Sequence, residues 1–240
     1  MSKLEKKLYK FAENGNVKKI NEMLEEENGG VKIDINWANP KENGNTPLHT
    51  AVNNWYDEVV ELLLANGANV NKVNDDGKTP LHVACKKYGK SSIVKLLIEK
   101  GANVNEPEHN AFENTPLHLA AMNKSDFGFL GSNKGNEENE EIARLLLEAG
   151  GNPEVKNAKG YTVMELAESW RNPGVVEILK THIQKKFYGV TIGVLKEKGD
   201  SLSKKVLGNH HLNSEIKSFL GGKKRSEKSK KAGRKTRRKK

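Results

Sequence analysis

Apolar residues in the first three-quarters of this chain fall into paired stripes separated by polar stretches. Val59, Val60, Leu63 and Leu64 lie one turn apart, which gives a helix a single buried stripe. The same kind of run recurs at Ile93–Ile98 and Ile142–Leu147. Upstream of the first run, Leu48, Ala51 and Val52 give a shorter helix an apolar face at i, i+3, i+4, and Ala84 and Ala120 stand where Ala51 does. Polar stretches such as Asn71–Lys78 separate one pair from the next and predict exposed turns. The pattern predicts helix pairs in tandem joined by projecting turns. A pair this short cannot bury its apolar face alone, so neighbours must stack on it.

Starts and stops repeat as regularly. Thr-Pro-Leu-His occurs at Thr46–His49, Thr79–His82 and Thr115–His118, at intervals of 33 and 36 residues. Thr can cap a helix, and Pro at the first helical position loses no needed N–H. Gly67 sits where the second helix must stop, in the left-handed conformation that Gly takes without strain. Gly67-Ala68-Asn69-Val70-Asn71 returns as Gly101-Ala102-Asn103-Val104-Asn105. This signature resembles the ankyrin repeat, with its period of about 33 residues and its T-P-L-H-x-A motif. The resemblance implies an all-α ankyrin-repeat solenoid that binds a protein. It also implies that the turns project like fingers and, with the inner helices, form the partner surface. The repeated His is then expected to bond locally and brace successive repeats.

The array extends at both ends. Residues 3–28 keep the apolar spacing without Thr-Pro and read as a degenerate first repeat. Gly160–Ala167 is a worn fifth copy, with Val163 for Pro and Glu165 for His. We expect an array over 1–182, an extension over 183–220 of two or three short helices capping the last repeat, and a disordered basic tail over 221–240.

Candidate recognition residues come from departures from the repeat. The interval from inner-helix Ala to outer-helix stripe is eight residues at Ala51–Val59 and 22 at Ala120–Ile142. The additional 14 residues carry Phe127, Phe129 and Leu130. They read either as a tolerated surface loop or as a patch that docks a partner or folds over the stack. Two turns are also longer by two residues, and they carry Trp37 and Phe112. Trp is enriched at binding hot spots. Trp37 is therefore a candidate anchor, unless it covers the junction of the first two repeats. Glu113 replaces the Gly found at Gly44, Gly77 and Gly160. Trp55-Tyr56 stands where the family usually has Gly-His, and helix-end packing is its expected role.

Charge divides the chain. The net is +10, with 41 Lys and Arg against 31 Asp and Glu. Residues 221–240 alone carry +11, so the rest is near neutral. Lys223, Lys224, Arg225, Lys230, Lys231, Arg234, Lys235, Arg237, Arg238, Lys239 and Lys240 make up most of that run. No residue among them is apolar and larger than Ala, so ordering has nothing to offset its entropy. Such a run reads as a nuclear-import signal or a phosphate-backbone contact, or as a solubilising tail. Without aromatics it cannot stack on bases.

No catalytic signature is present. There is no Walker lysine, nucleophile elbow or dinucleotide fingerprint. Cys85 is the sole cysteine and fits the core of a protein in a reducing compartment. The three repeat histidines lack metal spacing, and His210-His211 lacks further ligands. No metal or cofactor is expected. The beginning of the sequence shows no secretory signal, and no run is long and apolar enough for a membrane span. Leu212-Asn213-Ser214-Glu215-Ile216 faintly resembles the F-box-like segment of ligase-recruiting ankyrin effectors, without its Pro. The expectation is a monomeric, non-catalytic scaffold for an unidentified protein, cytoplasmic or nuclear. The alternatives are a nucleic-acid- or chromatin-associated adaptor acting through the tail, and a ubiquitin-ligase-recruiting effector.

Overall fold

Thr46 shows how each repeat starts. Its Oγ1 accepts from the His49 N–H (3.4 Å), and His49 Nδ1 lies 3.3 Å from the Thr46 N–H, a reciprocal box that satisfies two orphan donors. Thr79 with His82 repeats it. At the fifth repeat Glu165 Oε2 takes the role of the imidazole, accepting from Thr162 N at 2.7 Å. The replacement of His by Glu, which reads as wear in the sequence, therefore preserves the cap. Hydrogen bonds from the Thr162 backbone N–H and then its hydroxyl also hold the Glu165 carboxyl below the usual carboxylate range.

The computed structural model describes residues 3–25, 33–86, 90–122 and 134–197. Among them are ten helices: α1 (Lys3–Glu13), α2 (Val17–Glu25), α3 (Pro47–Asn53), α4 (Asp57–Ala65), α5 (Pro80–Ala84), α6 (Ser91–Glu99), α7 (Pro116–Met122), α8 (Lys134–Glu148), α9 (Val163–Ser169) and α10 (Pro173–Glu197). The described residues hold no strand, only isolated bridges at Asn39–Asn45 and Lys156–Thr162. The inner helices α1, α3, α5, α7 and α9 pack in one row, and the outer helices α2, α4, α6 and α8 in another. The chain divides into two units, Met1–His182 and Ile183–Lys240.

The core of the first unit is continuous. Leu8, Ile20, Leu48, Leu63, Leu81, Ile93, Leu97, Leu117, Ile142, Leu146 and Leu179 are fully buried, so each repeat contributes. Burial of one such side chain is worth about 1.5–3 kcal/mol. Stacking carries the fold, because helices of five to nine residues are unstable alone.

Two elements depart from expectation. The outer helix of the last repeat does not stop near residue 182 but runs to Glu197, where short separate helices were predicted. By register, Ile183 occupies the position at which Gly67 ends α4, so nothing there favours a left-handed stop. Within the insertion, residues from Lys134 onward lengthen α8 to 15 residues, against 9 in α4 and α6. Phe127, Phe129, Leu130, most of the 183–220 extension and the tail lie outside the described residues.

Candidate functional site: fingers and inner helices

The turns between repeats are built by short-range bonds and then tied together. Asn39, Asn74, Glu108 and Asn157 open equivalent turns, each N–H bonding the carbonyl of Asn45, Lys78, Asn114 or Tyr161 at 2.9–3.0 Å. The two longer fingers thus close in the same way as the shorter ones, and their additional residues bulge at the tip. Neighbouring fingers are joined by Asp75 N to Asn43 O (2.9 Å), His109 N to Gly77 O (2.7 Å) and Ala158 N to Phe112 O (2.9 Å). At their bases runs a ladder of asparagines. Asn36, Asn71 and Asn105 each accept from the next repeat, at Asn69 N, Asn103 N and Asn152 N (2.7–2.8 Å). This ladder is one reason the chain is so rich in Asn, which the repeat pattern alone did not explain.

The histidines add a second tie. His49 Nε2 reaches the Lys78 carbonyl at 3.0 Å, and His118 Nε2 reaches that of Tyr161 at 3.2 Å. A carbonyl only accepts, so Nε2 carries the proton and Nδ1 accepts from the threonine. Burial pulls the His49 and His82 pKa values down to about 4, and lowers that of His118. His82 differs: Glu106 and Asn114 carbonyls lie nearby, yet Nε2 is buried without a hydrogen bond. Its turn is one of the enlarged ones.

Glu108 is a buried charge that sequence reasoning did not single out. It stands where other fingers have Asn, and is 3 % exposed. Lys78 Nζ lies 3.8 Å away and Asn114 Nδ2 3.3 Å away. Just beyond α5, Lys86 has its pKa lowered by burial and by Lys78.

The predicted aromatic residues are differently placed. Phe112 is 46 % exposed on the third finger, with Lys159 Nζ 4.7 Å from its ring centroid. Its neighbour Glu113 holds φ +50, a conformation uncommon for residues other than Gly. Tyr161, which sequence reasoning passed over, is 48 % exposed on the next finger. The signal was available: an aromatic residue directly before a capping Thr. Trp37 is half-buried, and its ring meets Tyr9 edge-on at 5.9 Å and 86°. Tyr9 accepts a 2.7 Å bond from the Thr50 hydroxyl, so Trp37 does cover the first junction while keeping part of its surface open. At the other end of the repeats, Tyr56 lies over Gly15, and Trp55 holds φ +59 with 45 % exposure.

No group of three or more His, Cys, Asp or Glu among the described residues is placed to hold a metal ion. Cys85 is buried, and burial pushes its thiol pKa up. Among the described residues no helix is long and apolar enough to cross a membrane.

Comparison with known proteins agrees with this architecture. The family model "Ankyrin repeats (3 copies)" matches residues 5–74 and 56–130, and the "Ankyrin repeat" model matches 112–158. The chain is an ankyrin-repeat protein. Ankyrin repeats are protein-interaction modules, which makes the finger face the natural candidate site. The human "Ankyrin repeat and SOCS box protein 11" is 35% identical over 122 residues, 51% of this chain and 32% of that protein. The "E3 ubiquitin-protein ligase XBAT33" of Arabidopsis thaliana is 43% identical over 79 residues, 33% of this chain and 15% of its own length. An ankyrin repeat protein of fowlpox virus (strain NVSL) is 42% identical over 80 residues, 32% of this chain and 23% of the viral one. This ankyrin-repeat chain therefore spans a third or less of each of these relatives.

Proposed function

We propose that this ankyrin array is a non-catalytic scaffold whose protein partner lies across the fingers and inner helices. The observation that carries the reading is Phe112 and Tyr161, about half exposed on adjacent fingers that backbone bonds hold together. Rigidly mounted aromatic side chains add contact area at low entropic cost, which is the property of a binding hot spot. The strained Glu113 supports the same assignment, since outliers of this kind cluster at functional sites. Trp37 extends the surface toward the first repeat. Phe127, Phe129 and Leu130 of the insertion are a second candidate contact.

The test is recovery of a partner from native extract by the full-length protein. Phe112→Ala and Tyr161→Ala should each reduce recovery by roughly tenfold, the scale of a lost hot-spot side chain, with unchanged melting temperature. Undiminished recovery by both variants would move the contact away from the fingers, to the insertion.

A second reading rests on the charge of residues 221–240, +11 beside a near-neutral remainder. Such a segment would direct the scaffold to the nucleus through an import receptor, or hold nucleic acid by counterion release. Retention on DNA that collapses between 50 and 200 mM salt would favour it. For a ubiquitin-ligase connection there is the faint F-box-like resemblance of Leu212–Ile216 and the E3 ubiquitin-protein ligase names of two relatives that this chain covers in small part.

A further inference from the structure

We infer that the pocket between α1 and the first finger binds an acidic, apolar-anchored peptide segment of the partner protein. The inference rests on the scaffold reading and gives the partner a chemistry. The pocket has a volume of about 230 Å³. That is below the roughly 300–1,000 Å³ of small-molecule sites, and suits one or two side chains. Tyr9 and the open part of Trp37 line it. Tyr9 is tied to α3 through Thr50, and Trp37 is tied to Tyr9, so the apolar wall is in place before any ligand arrives.

The polar lining points to the ligand's charge. Lys6 and Lys10 line the pocket from α1, and Lys41 from the finger. Lys6 and Lys10 stand four apart on one helix face, a like-charge spacing that weakens a helix. None of the three makes an ion pair within 4 Å among the described residues, although a few residues away Lys18 pairs with Glu22. Exposed ammonium groups left without counter-charges around an aromatic wall are complementary to carboxylates flanking an apolar side chain. Glu13 and Glu42 also line the pocket, close enough to Tyr9 to oppose its ionisation. They disfavour a uniformly charged polyanion, whereas a peptide can set single carboxylates against single lysines. A protein segment therefore fits better than nucleic acid.

The test uses the full-length protein with Trp55→Phe and Trp170→Phe, which leaves Trp37 as its only tryptophan. The probe is a synthetic dodecapeptide of Gly and Ser with one central Leu flanked by a single Glu on each side. Its titration should change Trp37 emission saturably, and Leu→Ser in the peptide should weaken the effect. Lys6→Glu combined with Lys10→Glu should weaken it at least tenfold without moving the melt; Lys10→Gln should give a smaller loss. Three results would overturn the inference: no emission change at millimolar peptide, an unchanged affinity in the lysine variants, or an equal response to inorganic polyphosphate. The second would assign capture to the basic C-terminal residues, and the third would make the pocket a general anion site. A native partner lost by Phe112→Ala but kept by Lys6→Glu/Lys10→Glu would refute the pocket and leave the scaffold reading standing.

Discussion

His49, His82 and His118 sit 1 %, 0 % and 0 % exposed, and burial holds each of them neutral. Their folded pKa values lie below the usual 6.5, so the unfolded chain binds more protons in the interval between. The stability they contribute is complete above pH 6.5 and is lost as pH falls toward 4. A displacement of this size is worth roughly 3 kcal/mol for each of His49 and His82. The urea midpoint should therefore fall steeply between pH 6.5 and 4; a flat profile would show that the imidazoles are not buried. Glycine gives a second check. Gly67 and Gly77 have φ +85 and +74, so Ala at either site meets backbone strain of about 1–2 kcal/mol. Around Gly67 a Cβ would find open space, but at Gly77 it would strike the carbonyl of His109, the residue whose N–H makes the finger-to-finger bond to the Gly77 carbonyl. In denaturant melts Gly77→Ala should cost at least 1 kcal/mol more than Gly67→Ala. Equal losses would mean that the two fingers are not in contact.

Among the elements, α6 and α8 carry the lesson of the insertion. The residue preceding α6, Lys90, provides no side-chain cap. Glu138, in the added length of α8, supplies one from the next repeat, accepting from Ser91 N at 2.9 Å. A carboxylate there also complements the helix dipole. Asp57 at the start of α4 adds a parallel tie on the other side, with Lys90 Nζ at 2.9 Å and Ser92 Oγ at 3.2 Å. Glu138→Ala should lower stability by about 1 kcal/mol, the usual value of a cap, and Glu138→Gln, which keeps an acceptor, by less. Chemical denaturation of the two variants decides; an Ala variant as stable as wild type would show that the longer helix leaves α6 uncapped.

At the scale of the whole molecule, core, asparagine ladder, histidine bonds and finger bonds among the described residues link one repeat to the next. Residues 221–240 hold no apolar side chain larger than Ala. Their deletion should leave the helical circular-dichroism signal and the melt unchanged and abolish retention on heparin or DNA. A truncated protein that still binds DNA would place a basic face on the array itself, and the second functional reading would then apply to the repeats.

The repeat, its period, its helix starts and its Gly stops were legible in the sequence. Local chemistry dictates them: Thr-Pro caps and pre-sets a helix wherever it stands, and an apolar stripe must be covered. The fold class followed for the same reason. What lay beyond local chemistry was decided by contacts between residues far apart in the chain. Ile183 in a Gly position let α10 run on to Glu197. Only stacking made Glu138 a cap for α6, brought Tyr9 under Trp37 and aligned Phe112 with Tyr161 on neighbouring fingers. Trp37 read as either anchor or cover; the tertiary structure makes it a cover that leaves one surface open, because its ring fits the edge of a tyrosine held by the next repeat.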